Sequence, residues 1–236
     1  IDCYSLATVD LPLCEYVDGA AFMRCSRLSS VNLPLCEYVG NAAFYYCSTL
    51  TSIDLPNCSY VGDAAFSGCP ILQSVNLPNC SYVGSRAFSG CSVLPFIDLP
   101  NCSYVGNYAF GYCSSLSSIN LPLCEYVGGN AFRGCHSITS IDLPNCSYVG
   151  DNAFGWCSAL SIVNLPLCEY IDGAFYSCIS LTSIDLPNCK SIDNEAFGNC
   201  SALQSVNLPL CEYLGFSTFI GCYSLTSVNL PNCSYV

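Results

Sequence analysis

The chain has 236 residues, enough for one or two ordinary domains, and its 17 acidic against five basic side chains leave a net charge of −12. A surface of that sign repels phosphate backbones, which argues against nucleic acid as a partner. Apolar residues make up 52% of the chain but are interrupted every two or three positions by Ser, Asn, Asp or Gly, so no run approaches the ~20 residues of a membrane span.

A cysteine recurs at every eleventh position from Cys3 to Cys233, 22 in all, with one shortened step between Cys168 and Cys178. Aligned on the cysteines, Leu-Pro returns at Leu11, Leu33, Leu55, Leu77 and onward to Leu230, a period of 22 residues. Such a period marks a solenoid, in which one coil cannot bury its apolar face until a neighbour stacks on it. No linker or change of composition interrupts the repeat, which predicts one elongated unit of about eleven coils over residues 1–236.

The chain opens at Ile1 in mid-coil and then reaches its first strand. Each coil carries a stretch such as Leu72-Gln73-Ser74-Val75-Asn76-Leu77, alternating apolar and polar residues around a β-branched centre. This predicts a short strand of a parallel sheet. Leu-Pro ends the ladder because proline has no N–H to donate. Val-Gly then turns the chain, and Ala87, Phe88, Cys91 and Leu94 have the spacing of a single helical or 3₁₀ turn on the return side.

Strand positions that alternate with the core must face outward. One outward row is Thr8, Ser30, Ser52, Ser74 and their successors, broken by Phe96 and Ile162. The next alternates Asp10, Asn32, Asp54, Asn76, Asp98, Asn120, Asp142, Asn164, Asp185 and Asn207, until Asn229 repeats Asn. Carboxylates on adjacent coils ~4.8 Å apart would repel by about 0.9 kcal/mol in water. The alternation therefore reads as charge spacing along a stack, or as an array of acceptors for a repetitive ligand or cation. Glutamates five residues on, at Glu37, Glu125, Glu169 and Glu212, fall in the Asn coils.

A tyrosine row that includes Tyr60, Tyr82 and Tyr104 runs along the stack and is interrupted at Ser191. Half-exposed rings of this kind stack on one another or form a contact surface. Phe96, Ile162 and Trp156 are further contact candidates, since an apolar residue in a polar row has no repeat-level reason; local repacking is the alternative.

Two cysteines per coil could form disulfides, bind metal, react or pack. Stacked cysteines point the same way rather than toward each other, and no C-x-x-C spacing suits a metal. Buried free thiols follow, with the Cys80 series facing turn carbonyls. Asn-Cys-Ser after the proline, as at Asn57 and Asn79, matches the glycosylation sequon but is also ordinary turn chemistry. His136 stands alone, and no catalytic, cofactor or metal-binding motif is present. Repetition places like groups along an axis, whereas an enzyme needs unlike groups converging.

The pattern L-x-x-[VI]-x-L-P-x-C-x-x-[VI] is a leucine-rich repeat signature. With Pro after the strand and G-x-x-A-F-x-x-C-x-x-L on the return, the chain resembles the BspA-like (Treponema-type) branch of that superfamily along its whole length. The resemblance implies a repeat solenoid, an arc with one parallel β-sheet. It implies an extracellular or cell-surface protein that adheres to a protein partner or host matrix ligand, while the missing motifs and the repetition of like groups predict no enzymatic activity and no cofactor. No polar cap is visible at either end, and the sequence stops at Val236, five residues short of a whole number of coils. Either the chain is a fragment or its ends are covered, so end-to-end self-association through Ile1, Leu6, Leu230 and Val236 into a filament is the competing expectation.

Overall fold

Residues 1–236 are described by a computed structural model. Each coil contributes two strands, not one. A three-residue strand such as Ser74–Asn76 is followed, past the Leu-Pro corner, by a two-residue strand such as Tyr82–Val83. All pair in parallel with the equivalent strand one coil away, Tyr82 with Tyr104 and Val83 with Val105. The Tyr-Val strands form one continuous sheet of ten. A single core runs from Val9 to Leu214 and holds 69 buried residues, with Phe, Ala, Cys, Leu and Val repeated in register.

The return side holds no helix; it is built of tandem β-turns. In the coil after Gly40, the N–H of Ala43, Tyr45 and Cys47 donates three residues back, to Gly40, Ala42 and Phe44. The intervening N–H groups of Ala42, Phe44 and Tyr46 donate instead to Asp63, Ala65 and Ser67 of the next coil, at 2.7–2.9 Å. That requires left-handed residues at Ala42 and Tyr46, both with φ 56°. A helix would turn these N–H groups back along the chain; the inter-coil bonds win because they recur at nearly every step and satisfy groups facing a buried interface. The left-handed conformation costs ~1–3 kcal/mol at each non-glycine site, which the stack offsets.

The phenylalanine rings stack with centroids 5.2–5.3 Å apart from Phe22 to Phe154. Tyrosines on the strand side stack at 4.7–4.9 Å. The rings are thus closer at the tyrosine edge than at the phenylalanines.

The Asp/Asn row divides the three-residue strands into groups. They pair two by two, Thr8–Asp10 with Ser30–Asn32 and Ser52–Asp54 with Ser74–Asn76, and so on to a last group of three. Within each pair Asn Nδ2 donates to the Asp of the preceding coil at 2.7–2.8 Å, as Asn32 to Asp10 and Asn76 to Asp54. That leaves the Asn carbonyl oxygen facing the next Asp, acceptor against acceptor, and there the sheet opens. Only Asn229 follows another Asn, and it donates to Asn207 Oδ1 at 2.7 Å, which closes the group of three.

All 22 cysteines are free. The turn series donates Sγ–H to the carbonyl two residues on, Cys80 to Tyr82 at 3.3 Å. The return series donates to the phenylalanine carbonyl of the preceding coil, Cys91 to Phe66 at 3.4 Å. Burial pushes the thiols of Cys47 and Cys113 up to about 12 and those of Cys102 and Cys146 to about 11, from an ordinary 9.0. A raised acid favours its neutral form in the folded state, so this contribution is complete below pH ~9 and lost as pH rises toward the folded values.

Three outcomes follow from this packing. The melting temperature should fall as pH rises from 9 to 11, and native labelling should reach Cys3 and the terminal Cys14, Cys222 and Cys233 first, with 22 thiols reacting after denaturation. Asp54→Asn should join the first two strand pairs by giving the Asn32 carbonyl a donor. Urea denaturation should show a gain of about 1 kcal/mol, with slower amide exchange across that boundary.

Candidate functional site

The exposed strand face presents Asp10, Asp54, Asp98, Asp142 and Asp185, one every two coils, each accepting a hydrogen bond from the asparagine of the next coil. Phe96 is 50% exposed and Ile162 64%. They replace serine in the same row, and their register partners Ser118 and Ser140 are small. Three coils separate them, ~14 Å, so they make two apolar points on a polar face, not one patch. Trp156 lies on the return side, away from both.

The tyrosine row has a different character from an open aromatic platform. Tyr60, Tyr82 and Tyr104 are half-buried and lie within 9° of parallel to their neighbours. Each ring covers the face of the next, so edges and hydroxyls alone reach solvent. Burial raises all three phenols, and neighbouring tyrosines add to the rise. Tyr104→Ala removes two stacking partners at once and should cost about 2 kcal/mol by chemical denaturation, with no loss of fold outside the adjacent coils.

Unlike groups converge at one place, on the return side where the repeat is one residue short. A cavity of about 480 Å³ is lined by Asp151, Asp172, Asp193, Glu195, Trp156 and Tyr176, with Asn152, Gly173 and Asn194 completing it. Its origin is the glycine row. In ordinary coils a β-carbon at Gly62, Gly84 or Gly106 would come within 2.6–2.8 Å of backbone in the preceding coil, so no larger residue fits. Asp172 and Asp193 stand at that position, one on the shortened turn and one directly over it. Loss of the residue also removes the inter-coil bonds that N–H groups equivalent to Asn152 and Gly173 make elsewhere, as Asn130 does to Asp151 at 2.7 Å. The phenylalanine stack loosens from here, to 5.5, 5.7 and 5.9 Å.

Around the cavity, Trp156 packs against Tyr176 with centroids 5.0 Å apart, and the Arg133 guanidinium lies 4.1 Å from the Trp156 ring on its other side. His136 Nδ1 is 2.8 Å from the Trp156 carbonyl; a carbonyl only accepts, so Nδ1 carries the proton. The Asp172 carboxyl is raised by burial first and by Asp151 and Asp193 beside it. No three His, Cys, Asp or Glu side chains anywhere converge closely enough to hold a metal ion. No helix is long and apolar enough to cross a membrane.

Sequence reasoning picked out Trp156 and the shortened segment but not Asp151, Asp172, Asp193, Glu195 or Tyr176. The available signal was the replacement of glycine by aspartate in two successive coils at the slip. At the ends, Ile1 and Val236 are exposed, while Leu6 and Leu230 pack partly buried against the core.

A family model described as the BspA type leucine rich repeat region, of six copies, matches residues 15–139 and 125–236. The chain belongs to that family. Among solved structures, a leucine-rich repeat protein from Bacteroides ovatus is similar at 23% identity and a TM-score of 0.68, covering 97% of this chain and 82% of its own. A leucine rich cell surface protein from Faecalibacterium prausnitzii is similar at 19% identity and a TM-score of 0.51, covering 98% and 88%. Both likenesses are of fold. No curated protein matches the chain.

Proposed function

We propose that this BspA-type solenoid is a non-enzymatic binding protein of the cell surface or extracellular space, acting over residues 1–236 as one scaffold for a protein or matrix ligand. The observation that carries the reading is the strand face. It repeats Ser and Asp/Asn along the whole stack, offers an extended acceptor array without any nucleophile–base pair, and breaks only at exposed Phe96 and Ile162. Apolar side chains standing out of a polar, pre-ordered surface are the usual anchors of a protein contact. A similar fold in a described cell surface protein supports the location.

An array of extracellular matrix proteins and host-cell surface proteins probed with the purified chain tests this. A specific partner is expected, and Phe96→Ser with Ile162→Ser should weaken it at least about tenfold, the loss of one or two anchoring contacts, without lowering the melting temperature. Binding that survives the double substitution unchanged would remove the strand face from the contact. Light scattering on the same samples reads self-association separately.

A further inference from the structure

A second row of exposed apolar side chains lies past the Leu-Pro corner, apart from the strand face, and its ligand does not depend on the function proposed above. At this position each coil carries either asparagine or leucine. The asparagines have a structural reason. Asn145 Nδ2 donates to the Pro122 carbonyl of the preceding coil at 2.7 Å, and Asn101 and Asn188 do the same to Pro78 and Pro166. The leucines make no such bond and are not buried in exchange: Leu123 is 48% exposed, Leu167 50% and Leu210 44%.

Two residues past each of these leucines stands a glutamate, Glu125, Glu169 and Glu212, where the intervening coils have Ser147 and Lys190. The register of the row is unbroken. The N–H of Ser147 donates to Glu125, Glu169 to Ser147, Lys190 to Glu169 and Glu212 to Lys190, all at 2.9–3.0 Å. Leucines therefore form ridges every two coils, ~9.6 Å apart, with shorter side chains between them. A hollow of about 620 Å³ spans both sides of Leu123, from Asn101 and Ser103 to Asn145, Ser147 and Leu167. Another of about 470 Å³ flanks Leu210 between Lys190 and Asn232. The one base of the row, Lys190, pairs with Glu169 at 2.8 Å, which leaves Glu125 and Glu212 without a counter-ion.

The spacing of ridges and hollows selects the occupant. A polyproline II helix rises ~3.1 Å per residue with three residues per turn, so one face repeats every ~9.3 Å and stays within ~1 Å of the hollows over three intervals. An extended strand covers a similar distance in three residues but turns alternate residues to opposite faces. Two turns of an α-helix, ~10.8 Å, overshoot each interval by ~1.2 Å.

We propose that this ridged row binds a basic polyproline II segment of a partner protein, with prolines seated between the leucines and basic side chains six residues apart on Glu125 and Glu212. Those two glutamates are four coils apart, ~19 Å, and two turns of the ligand cover nearly the same length. Such a helix has no internal hydrogen bonds, so its carbonyls need outside donors. Each asparagine in the hollows has two amide hydrogens and spends one on a proline carbonyl of its own chain, which holds the other in place for the ligand. The net charge of −12 favours encounter with a basic segment.

Fluorescence anisotropy of the whole protein with a labelled peptide of four Pro-Pro-Arg triplets tests the assignment. Four Gly-Ser-Arg triplets are the flexible control of equal charge, and four Pro-Pro-Glu triplets the rigid acidic one. At matched ionic strength the Pro-Pro-Arg peptide is expected to bind at least about tenfold more tightly than either. Leu123→Asn with Leu167→Asn should weaken it about tenfold, and Glu125→Ser should weaken it severalfold. These substitutions install the residues that Asn145 and Ser147 already place at the same positions of the neighbouring coil, so the melting temperature should not fall and lost binding cannot be attributed to unfolding. Phe96→Ser with Ile162→Ser, on the strand face, should leave the peptide bound as before. Equal binding of the Gly-Ser-Arg peptide would reduce the row to unspecific charge attraction and overturn the proposal. Unchanged Pro-Pro-Arg binding by the leucine variant would overturn it as well, and neither outcome bears on the strand-face partner.

Discussion

The backbone hydrogen bond between equivalent residues of successive coils is the constraint from which the rest of the molecule follows. On the strand side it is ordinary parallel pairing. On the return side it requires the chain to aim alternate N–H groups along the stack, and that is possible only with left-handed residues twice per coil. The local conformation is unfavourable by itself. It is held because each coil's core, phenylalanine above phenylalanine and cysteine above cysteine, is buried only when the next coil is in place.

Translation along one axis means that every residue meets its own kind. For phenylalanine and half-buried tyrosine this is favourable, since flat rings offset-stack. For thiols it is tolerable, because each S–H finds a carbonyl and burial keeps it neutral. For carboxylates it is not, and the chain answers by alternating Asp with Asn. The donor of asparagine reaches one neighbour only, so the same device that removes repulsion within a pair creates an acceptor–acceptor boundary between pairs. The chemical period of the strand face is therefore two coils, although the backbone period is one.

A repeat of this kind acquires a distinct site only by breaking its own rule. One missing residue displaces a turn, frees the glycine row from its close approach, and admits Asp172 and Asp193 beside Asp151. Trp156 and Tyr176 close the hollow from the preceding and shortened coils. The irregularity thus has a local cause and a local consequence, and the stack on either side of it keeps its register.

Much of this was legible in the sequence, because periodicity is a global property that a single chain displays. The cysteine rhythm, the Leu-Pro corner and the β-branched centres determined the coil, the parallel strands, the outward Asp/Asn and tyrosine rows, and the buried free thiols. What the sequence could not convey was direction. The spacing of Ala, Phe and Cys suits a helical turn as well as tandem β-turns, and which forms depends on whether N–H groups point along the chain or along the stack. Likewise, a row of half-exposed tyrosines is open to stacking or to a contact surface, and the interplanar angles decide for stacking, with each face covered. Only the tertiary structure decided these points, and only it gathered Asp151, Asp172, Asp193, Trp156 and Tyr176 around one cavity. Residues some twenty positions apart become neighbours through stacking, and the orientation of each is settled by the coil beside it.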